Sequence, residues 1–375
     1  MKASDAEICV LGAGVVGRRI AAELSRLSVP YRLASRHGSP DRGEGVLTAD
    51  AFDSTALAAT FAGARVVINA AGPLRETAAP VLTAALAAGA HYVDVGGEQA
   101  TLQALYEHHE STVRRAGLIA LPGAGLDCVL GDLATAWAAQ HLCGVEDAGD
   151  TVRTTPAPRL AEDRPLDEVT VTYVFDDLAL SAGSQRALFG AVGARAMMWR
   201  RDRWEPGVTP ALSRRRVNAG SAMGGERDAI AHPAGDVITI PRYLAANSVT
   251  SYVSTTRDPA SGMLLRLLST AASMLPKAAQ GVLAPYAPPE ADLERARFAV
   301  IAQVRRGFSA AQLTVRGSDP YRTTAVIAAW CARALASRGP GPTGMRAPAE
   351  LFRAQPWLRE LAAAAELTIE PSWGA

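Results

Sequence analysis

The stretch EICVLGAGVVGRRIAAELSRL, residues 7–27, decides the fold. Its apolar run Ile8–Leu11 reads as a buried strand, and Ile20, Leu24 and Leu27 then recur at helical spacing. Between them stands Gly12-Ala13-Gly14-Val15-Val16-Gly17, a G-x-G-x-x-G segment. In this order, strand, glycine turn and helix make a phosphate cradle. The first glycine permits the tight turn, the second lets the backbone approach a pyrophosphate, and the third lets the helix pack closely on the strand. The motif alone would also suit a glycine-rich turn without ligand. Its place at the head of a strand–turn–helix unit, with a second strand following, favours a dinucleotide.

Downstream the alternation continues. Val29–Ala34 is expected as a strand, ALAATFAGA (56–64) as a short helix and Arg65–Pro73 as a buried strand. A helix ending at Gly89 follows, then the strand HYVDVGGE (91–98), an amphipathic helix over 99–116 and the strand LIALPGAG (118–125). Strands and helices alternating at this spacing imply a doubly wound parallel sheet of Rossmann type. Near residue 145 the pattern changes. DTVRTTPAPRLAEDRP (150–165) reads as a polar connection, and period-two runs at 168–175, 236–244, 248–255 and 297–307 predict an antiparallel sheet. Helices are expected to interrupt it at about 183–196 and 260–281, and helices at 321–336 and near 348–364 close the chain. The expected class is α/β: a Rossmann domain over 1–135, a central α+β domain with an antiparallel sheet over 136–317, and C-terminal helices over 318–375 returning to the first domain.

The end of the second strand selects the cofactor. A carboxylate there holds the ribose hydroxyls of NAD and repels a 2′-phosphate. YRLASRHG (31–38) offers Ser35 and Arg36 instead, a hydroxyl donor and a guanidinium matched to phosphate, whereas Asp41 and Glu44 fall beyond the strand end. The cofactor expected is NADP(H).

Ligands of such sheets sit beyond the carboxyl ends of the strands. NAAGP (69–73) ends one strand in Ala70, Ala71, Gly72 and Pro73, small residues that leave room for a flat ring or ribose before the proline turns the chain away. VDVGGE (93–98) leaves Asp94 and Glu98 near the same crevice. LPGAGLDCVLGDLATAW (121–137) places Asp127 and Cys128 at a strand-to-helix turn and Asp132 inside the helix. Each acid by itself suits a helix cap or a structural hydrogen bond. Together they are the concentrated acid–base group of this face, with Asp127 the first candidate to deliver a proton and Glu98 the second.

Four pieces, in order, resemble the saccharopine dehydrogenase-like oxidoreductases: VLGAGVVGRRIAAEL, INAAGPLRETAAPVLTAALAAGAHYVDVGGE, PGAGLDCVLGDL and GSDPYRTTAVIAAWCARAL. The resemblance covers about 1–135 and 319–336, and is nearer to the bacterial trans-acting enoyl reductase branch than to the lysine-pathway enzymes. It implies a Rossmann domain completed by C-terminal helices, and a central domain that shapes a substrate cavity and mediates a homodimer. It also implies an active-site aspartate in a G-L-D-P-G segment. Gly125-Leu126-Asp127 matches that segment, but Cys128 and Val129 replace its Pro-Gly, and Leu74 stands where an aromatic commonly follows A-G-P. Both departures weigh against an amino-acid substrate.

Composition removes other classes. In 375 residues the charged fraction is 20%, the hydrophobic fraction 49% and the net charge +1, a balance with no general pull toward nucleic acid or membrane. The only lysines are Lys2 and Lys277, so neither a Tyr-x-x-x-Lys proton donor nor a lysine base is expected, and no G-x-S-x-G elbow points to acyl chemistry. Four cysteines without a C-x-x-C pair and histidines without ligand spacing predict a reducing compartment and no metal. MKASDAE lacks a signal-peptide core, and no apolar run reaches the ~18 residues of a membrane span, which points to the cytoplasm. GMLLRLLSTAASML (262–275) is apolar nearly all round a helix, which suits a core, a dimer interface or the lining of a hydrophobic substrate site, and Arg214-Arg215-Arg216 reads as a solvated loop. The expected function is an NADPH-dependent reductase transferring a hydride to a C=N or conjugated C=C bond of a small or medium organic substrate, in specialised metabolism. The competing class is a non-catalytic NADPH-binding regulator or partner subunit of a biosynthetic complex.

Overall fold

The computed structural model describes residues 7–38, 45–147, 149–181, 184–185, 196–207, 213–255, 289–339 and 341–374. The helices expected at 260–281 and, apart from residues 184–185 and 196, at 183–196 lie outside the described residues, as does the apolar stretch 262–275.

The first sheet is wholly parallel. It holds β1 (Ile8–Leu11), β2 (Tyr31–Ser35), β3 (Val46–Thr48), β4 (Val66–Asn69), β5 (His91–Asp94), β6 (Ile119–Leu121) and β15 (Gly344–Met345), in the order β15-β6-β5-β4-β1-β2-β3. Helices α1 (Val15–Arg26), α2 (Ser54–Phe61), α3 (Leu74–Ala87), α4 (Gln99–Arg115) and α5 (Leu126–Cys143) connect its strands or leave its last turn. β1 and β4 are buried at every position, as strands covered on both faces must be. The strand ends are level: Leu11 pairs with Ala34 and Asn69, and Asn69 with Asp94. The order reverses between β1 and β4, which places the crevice of a doubly wound sheet beyond Leu11 and Asn69.

The second sheet contains β7 (Glu168–Asp176), β10 (Arg215–Asn218), β11 (Glu226–Ala231), β12 (Ser248–Ser254), β13 (Arg297–Arg306), β14 (Ser309–Ser318) and β16 (Thr368–Trp373), with the hairpin β8 (Met197–Arg200) and β9 (Arg203–Pro206) joined to β12. It is mixed rather than antiparallel, because β12 runs parallel to β7. The long connection between them, which carries β8 to β11 and a helix, supplies the crossover that a parallel pair needs. The Arg214–Arg216 run is no loop: it enters β10, and the three guanidiniums pair with Asp228, Glu168 and Glu226.

A second correction concerns 236–244, expected as a strand but folded as the helix α6 (Asp236–Tyr243). Its apolar positions Val237, Ile238, Ile240 and Pro241 follow helical i, i+1, i+3, i+4 spacing as well as they follow alternation. Pro241 has no N–H to bond the Val237 carbonyl, and the Trp204 indole N–H donates to that oxygen instead, at 3.1 Å. Helix α7 (Glu290–Arg295) precedes β13, and α8 (Pro320–Ala336) packs on α1. The single helix expected near 348–364 divides into α9 (Pro348–Leu351) and α10 (Ala354–Ala365), with the extended Phe352 between them. Helix α5 is buried almost all round, at Leu126, Cys128–Ala136 and Ala138–Gln140, and its side chains share one core with both sheets.

Candidate functional site

The crevice begins at the glycine turn. Gly12 has φ +107°, and a Cβ there would lie 2.5 Å from the Ala70 carbonyl carbon, so the loops after β1 and β4 touch through main chain alone. A Cβ on Gly17 would meet the Gly12 oxygen at 1.7 Å, whereas one on Gly14 would meet nothing within 4 Å. Two glycines are thus needed for packing, and the middle one opens onto free space. Gly14 caps α1 without a side-chain partner, and the first turn carries no acid, so Val15 and Val16 begin a helix whose N–H groups are left for an anion. Ala13, Val15 and Val16 are half-buried around that opening. Gly17→Ala is expected to lower stability by roughly 1–3 kcal/mol and to displace the turn, read as a lower denaturation midpoint together with weaker NADPH binding.

The loop Ala70–Pro73 is clamped by two residues that sequence reasoning passed over. Asn69 accepts from the Ala71 N–H at 3.1 Å and donates to Tyr92 Oη at 3.3 Å, and Thr77 donates to the Ala71 carbonyl at 2.5 Å. Ala70, Ala71 and Pro73 are half-buried and Gly72 is exposed, which leaves the loop surface open toward Gly14. On the other flank the Ala34 carbonyl accepts from Gly12 N at 2.7 Å, which sets Ser35 and Arg36 directly beyond the turn. Ser35 donates to the Gly38 carbonyl at 3.1 Å, Arg36 is exposed with its Nε 3.3 Å from the His37 ring, and Asp41 and Glu44 lie outside the described residues.

The acids divide into distinct kinds. Asp94 is buried and accepts from the Gly96 and Gly123 N–H groups, each at 3.0 Å, tying two loops together; burial pushes it up to about 6 against the pull of those bonds. Glu98 precedes α4 without capping its main chain, and its carboxylate accepts from the Thr101 hydroxyl at 3.2 Å. Burial raises it, opposed by Thr101 and by Arg75. Asp127 differs. Its carboxyl makes no hydrogen bond among the described residues and is open to solvent, yet the protein around it raises it to about 6 by desolvation. Water in the crevice offsets part of that push. A Cβ on Gly97 would come within 2.7 Å of Asp127 Cβ, so the loop bearing Glu98 lies directly against Asp127. The loop that carries Glu98 and the turn that carries Asp127 are therefore neighbours in the fold.

The far wall comes from the second sheet. Ala234 bridges Glu98, and the Pro233 carbonyl accepts from Gln99 N at 3.3 Å. His232, half-exposed beside them, is held neutral by burial, with its acid lowered to about 4, and its ring meets Tyr173 edge-on at 6.3 Å. Cys128 is fully buried and its thiol is raised well above the ordinary value, so it is no nucleophile. Asp132 is fully buried away from the crevice mouth, accepting from Thr239 at 2.7 Å.

Residues 8–120 match the family described as the saccharopine dehydrogenase NADP binding domain. By this match residues 8–120 are similar to the NADP-binding domain of saccharopine dehydrogenases, and the rest of the chain lies outside it. A Mycobacterium tuberculosis protein provisionally named a trans-acting enoyl reductase is 30% identical over 162 residues, 40% of this chain and 38% of that protein. A Caenorhabditis elegans protein named for its localisation to lipid droplets is 29% identical over 123 residues, 33% of this chain and 28% of that one. The chain thus matches between 24% and 38% of the length of these curated relatives. The apo saccharopine dehydrogenase (L-Glu forming) from Saccharomyces cerevisiae superposes with a TM-score of 0.61 over 98% of this chain and 99% of its own, at 13% identity, which establishes a shared two-sheet architecture. Among the described residues, no helix is long and apolar enough to cross a membrane.

Proposed function

We propose that the protein is an NADPH-dependent reductase that transfers a hydride to a C=N or conjugated C=C bond of a small or medium organic substrate, with Asp127 as the proton donor. The observation that carries this reading is Asp127 itself: an exposed carboxyl without a hydrogen bond among the described residues, raised to about 6, just past the end of β6 and on the same edge of the sheet as the glycine turn, with β5 and β4 between them. The enoyl-reductase name of the mycobacterial relative supports a C=C acceptor, and the shared architecture with a saccharopine dehydrogenase supports C=N.

The residues fit the cofactor. Gly12 to Gly17 would seat the pyrophosphate on the uncapped start of α1, Ala70 to Pro73 would lie along the nicotinamide ribose, and Ser35 with Arg36 would take the 2′-phosphate. When bound, NADPH supplies the hydride. The chain must hold the acceptor over that position, keep water out and deliver one proton. Asp127 would deliver it, with the loop that carries Glu98 beside it. A homodimer through the second sheet remains part of the proposal.

The test is titration with NADPH and NADH, followed by reduced-nicotinamide fluorescence. Losing a charge-assisted contact to phosphate should weaken NADPH binding by about 10–100-fold in Arg36→Ala and leave NADH unchanged. Equal losses for both cofactors would remove Arg36 from 2′-phosphate recognition, and no binding of either would sink the reductase reading.

A further inference from the structure

Behind Asp127 lies a hydrogen-bond arrangement that the proposed reduction leaves unused. The Tyr173 hydroxyl is buried, 2.7 Å from Asp236 Oδ2, and it also contacts the Asp127 main-chain oxygen. A phenol has one proton, and both partners are oxygens that, with Asp236 ionised, can only accept. Two close contacts therefore need two protons, and the second can come only from Asp236. The same count applies one helical turn on. The Thr239 hydroxyl lies 2.7 Å from Asp132 Oδ1 and 3.3 Å from the Gly235 carbonyl, again one proton between two acceptors.

The packing agrees. Asp236 is fully buried. The groups that act on it most strongly are Asp132 and Asp127 on α5 and Tyr173 on β7; Cys128 on α5 and Tyr243 on α6 are coupled to it as well. None of them carries a positive charge, and only the Tyr173 hydroxyl, when it donates, favours the carboxylate. Burial first and the Asp132 carboxyl second raise Asp236 well above the ordinary range. Gly131 on α5 makes the approach possible, since a Cβ there would lie 2.3 Å from Asp236 Oδ1 and 2.7 Å from Tyr173 Oη.

We propose that Asp236 and Tyr173 are positioning residues for Asp127: Asp236, kept as the neutral acid, donates to the Tyr173 oxygen, and Tyr173 donates its own proton to the Asp127 carbonyl. This pins the first turn of α5, and with it the direction of the Asp127 carboxyl, from the second sheet. The proposal deepens the reading of Asp127 as proton donor, but its test needs no turnover.

Two measurements on the full chain decide it. Infrared spectra at neutral pH should show the C=O stretch of a protonated carboxylic acid that disappears in Asp236→Asn, apart from any such band lost in Asp132→Asn. Carbon-13 titration of the Asp127 carboxyl should give an unchanged midpoint in Asp236→Asn, whose amide N–H can still donate to Tyr173. In Tyr173→Phe the midpoint should fall by about one pH unit toward the ordinary carboxylate range, because the unpinned turn no longer holds the carboxyl against the protein groups that desolvate it. Retention of every protonated-acid band in Asp236→Asn overturns the proposal, as does an unmoved Asp127 midpoint in a folded Tyr173→Phe. If both results come out as expected while Asp127→Asn still turns over substrate, the positioning stands and the proton-donor reading fails.

Discussion

Asp127→Asn is expected to slow the NADPH-dependent reduction by about 10²–10⁴-fold, the usual contribution of a positioned general acid, with NADPH affinity unchanged. The expectation rests on what the carboxyl does not do. It holds no hydrogen bond among the described residues, so an amide of the same shape costs the fold nothing there. The main-chain oxygen that Tyr173 engages is retained in the variant. With the acid raised to about 6, the wild-type rate should be highest below that pH and decline above it as the proton is lost, and the variant's residual rate should be flat across the same range. Glu98→Gln should cost less, because that carboxylate already accepts from Thr101 and lies under the field of Arg75. The check is the pH profile of NADPH oxidation in all three proteins. An Asp127→Asn enzyme with wild-type turnover would remove the proton donor from the proposed mechanism.

The turn proposed to hold the cofactor was legible in the sequence because it is made of local constraints. Gly12 and Gly17 sit where only hydrogen fits between main-chain atoms, and Ser35 and Arg36 follow a strand whose register is fixed by its pairing with β1. One segment of chain carries each of these signals. Asn69 and Thr77 escaped because both are ordinary polar residues whose clamping role exists only once β4, α3 and the intervening loop are folded together. The proposed catalytic half was legible only on the Rossmann side. Tyr173, with Asp236 behind it, reaches the Asp127 main chain, and Ala234 bridges Glu98, across more than 40 residues of chain, and nothing in their neighbourhoods points to those meetings. Asp236 was further hidden by the α6 segment, where Val237, Ile238 and Ile240 suit a strand until Pro241 and Trp204 are seen to settle a helix. The parallel β7–β12 pair was invisible for the same reason: alternation fixes which face is buried, not which strand lies alongside.

Stability is expected to fall as pH rises from about 4 to about 8, and Asp132→Asn should remove much of that fall. Asp132 lies fully buried on α5, and desolvation raises its carboxyl from 3.8 to about 8, with the Thr239 hydroxyl opposing the shift. In the unfolded chain the same group ionises near its ordinary value. Between the two values the folded protein holds a proton that the unfolded chain has lost. Stability then decreases with pH by up to a tenfold change in the folding equilibrium for each pH unit, and it levels off once the folded group ionises as well. The advantage of the neutral acid is complete below about 4 and gone above about 8. Asp236, also raised by burial, adds to the slope in the same direction. An asparagine at 132 keeps the shape and stays neutral throughout, so the variant should gain on the wild type progressively from pH 5 to pH 8 and be more stable at the upper end. Denaturant midpoints at four or five pH values measure this directly. Parallel curves for wild type and variant would mean that Asp132 is ionised in the folded protein, and the buried acids on α5 and α6 would then need a compensating charge outside the described residues.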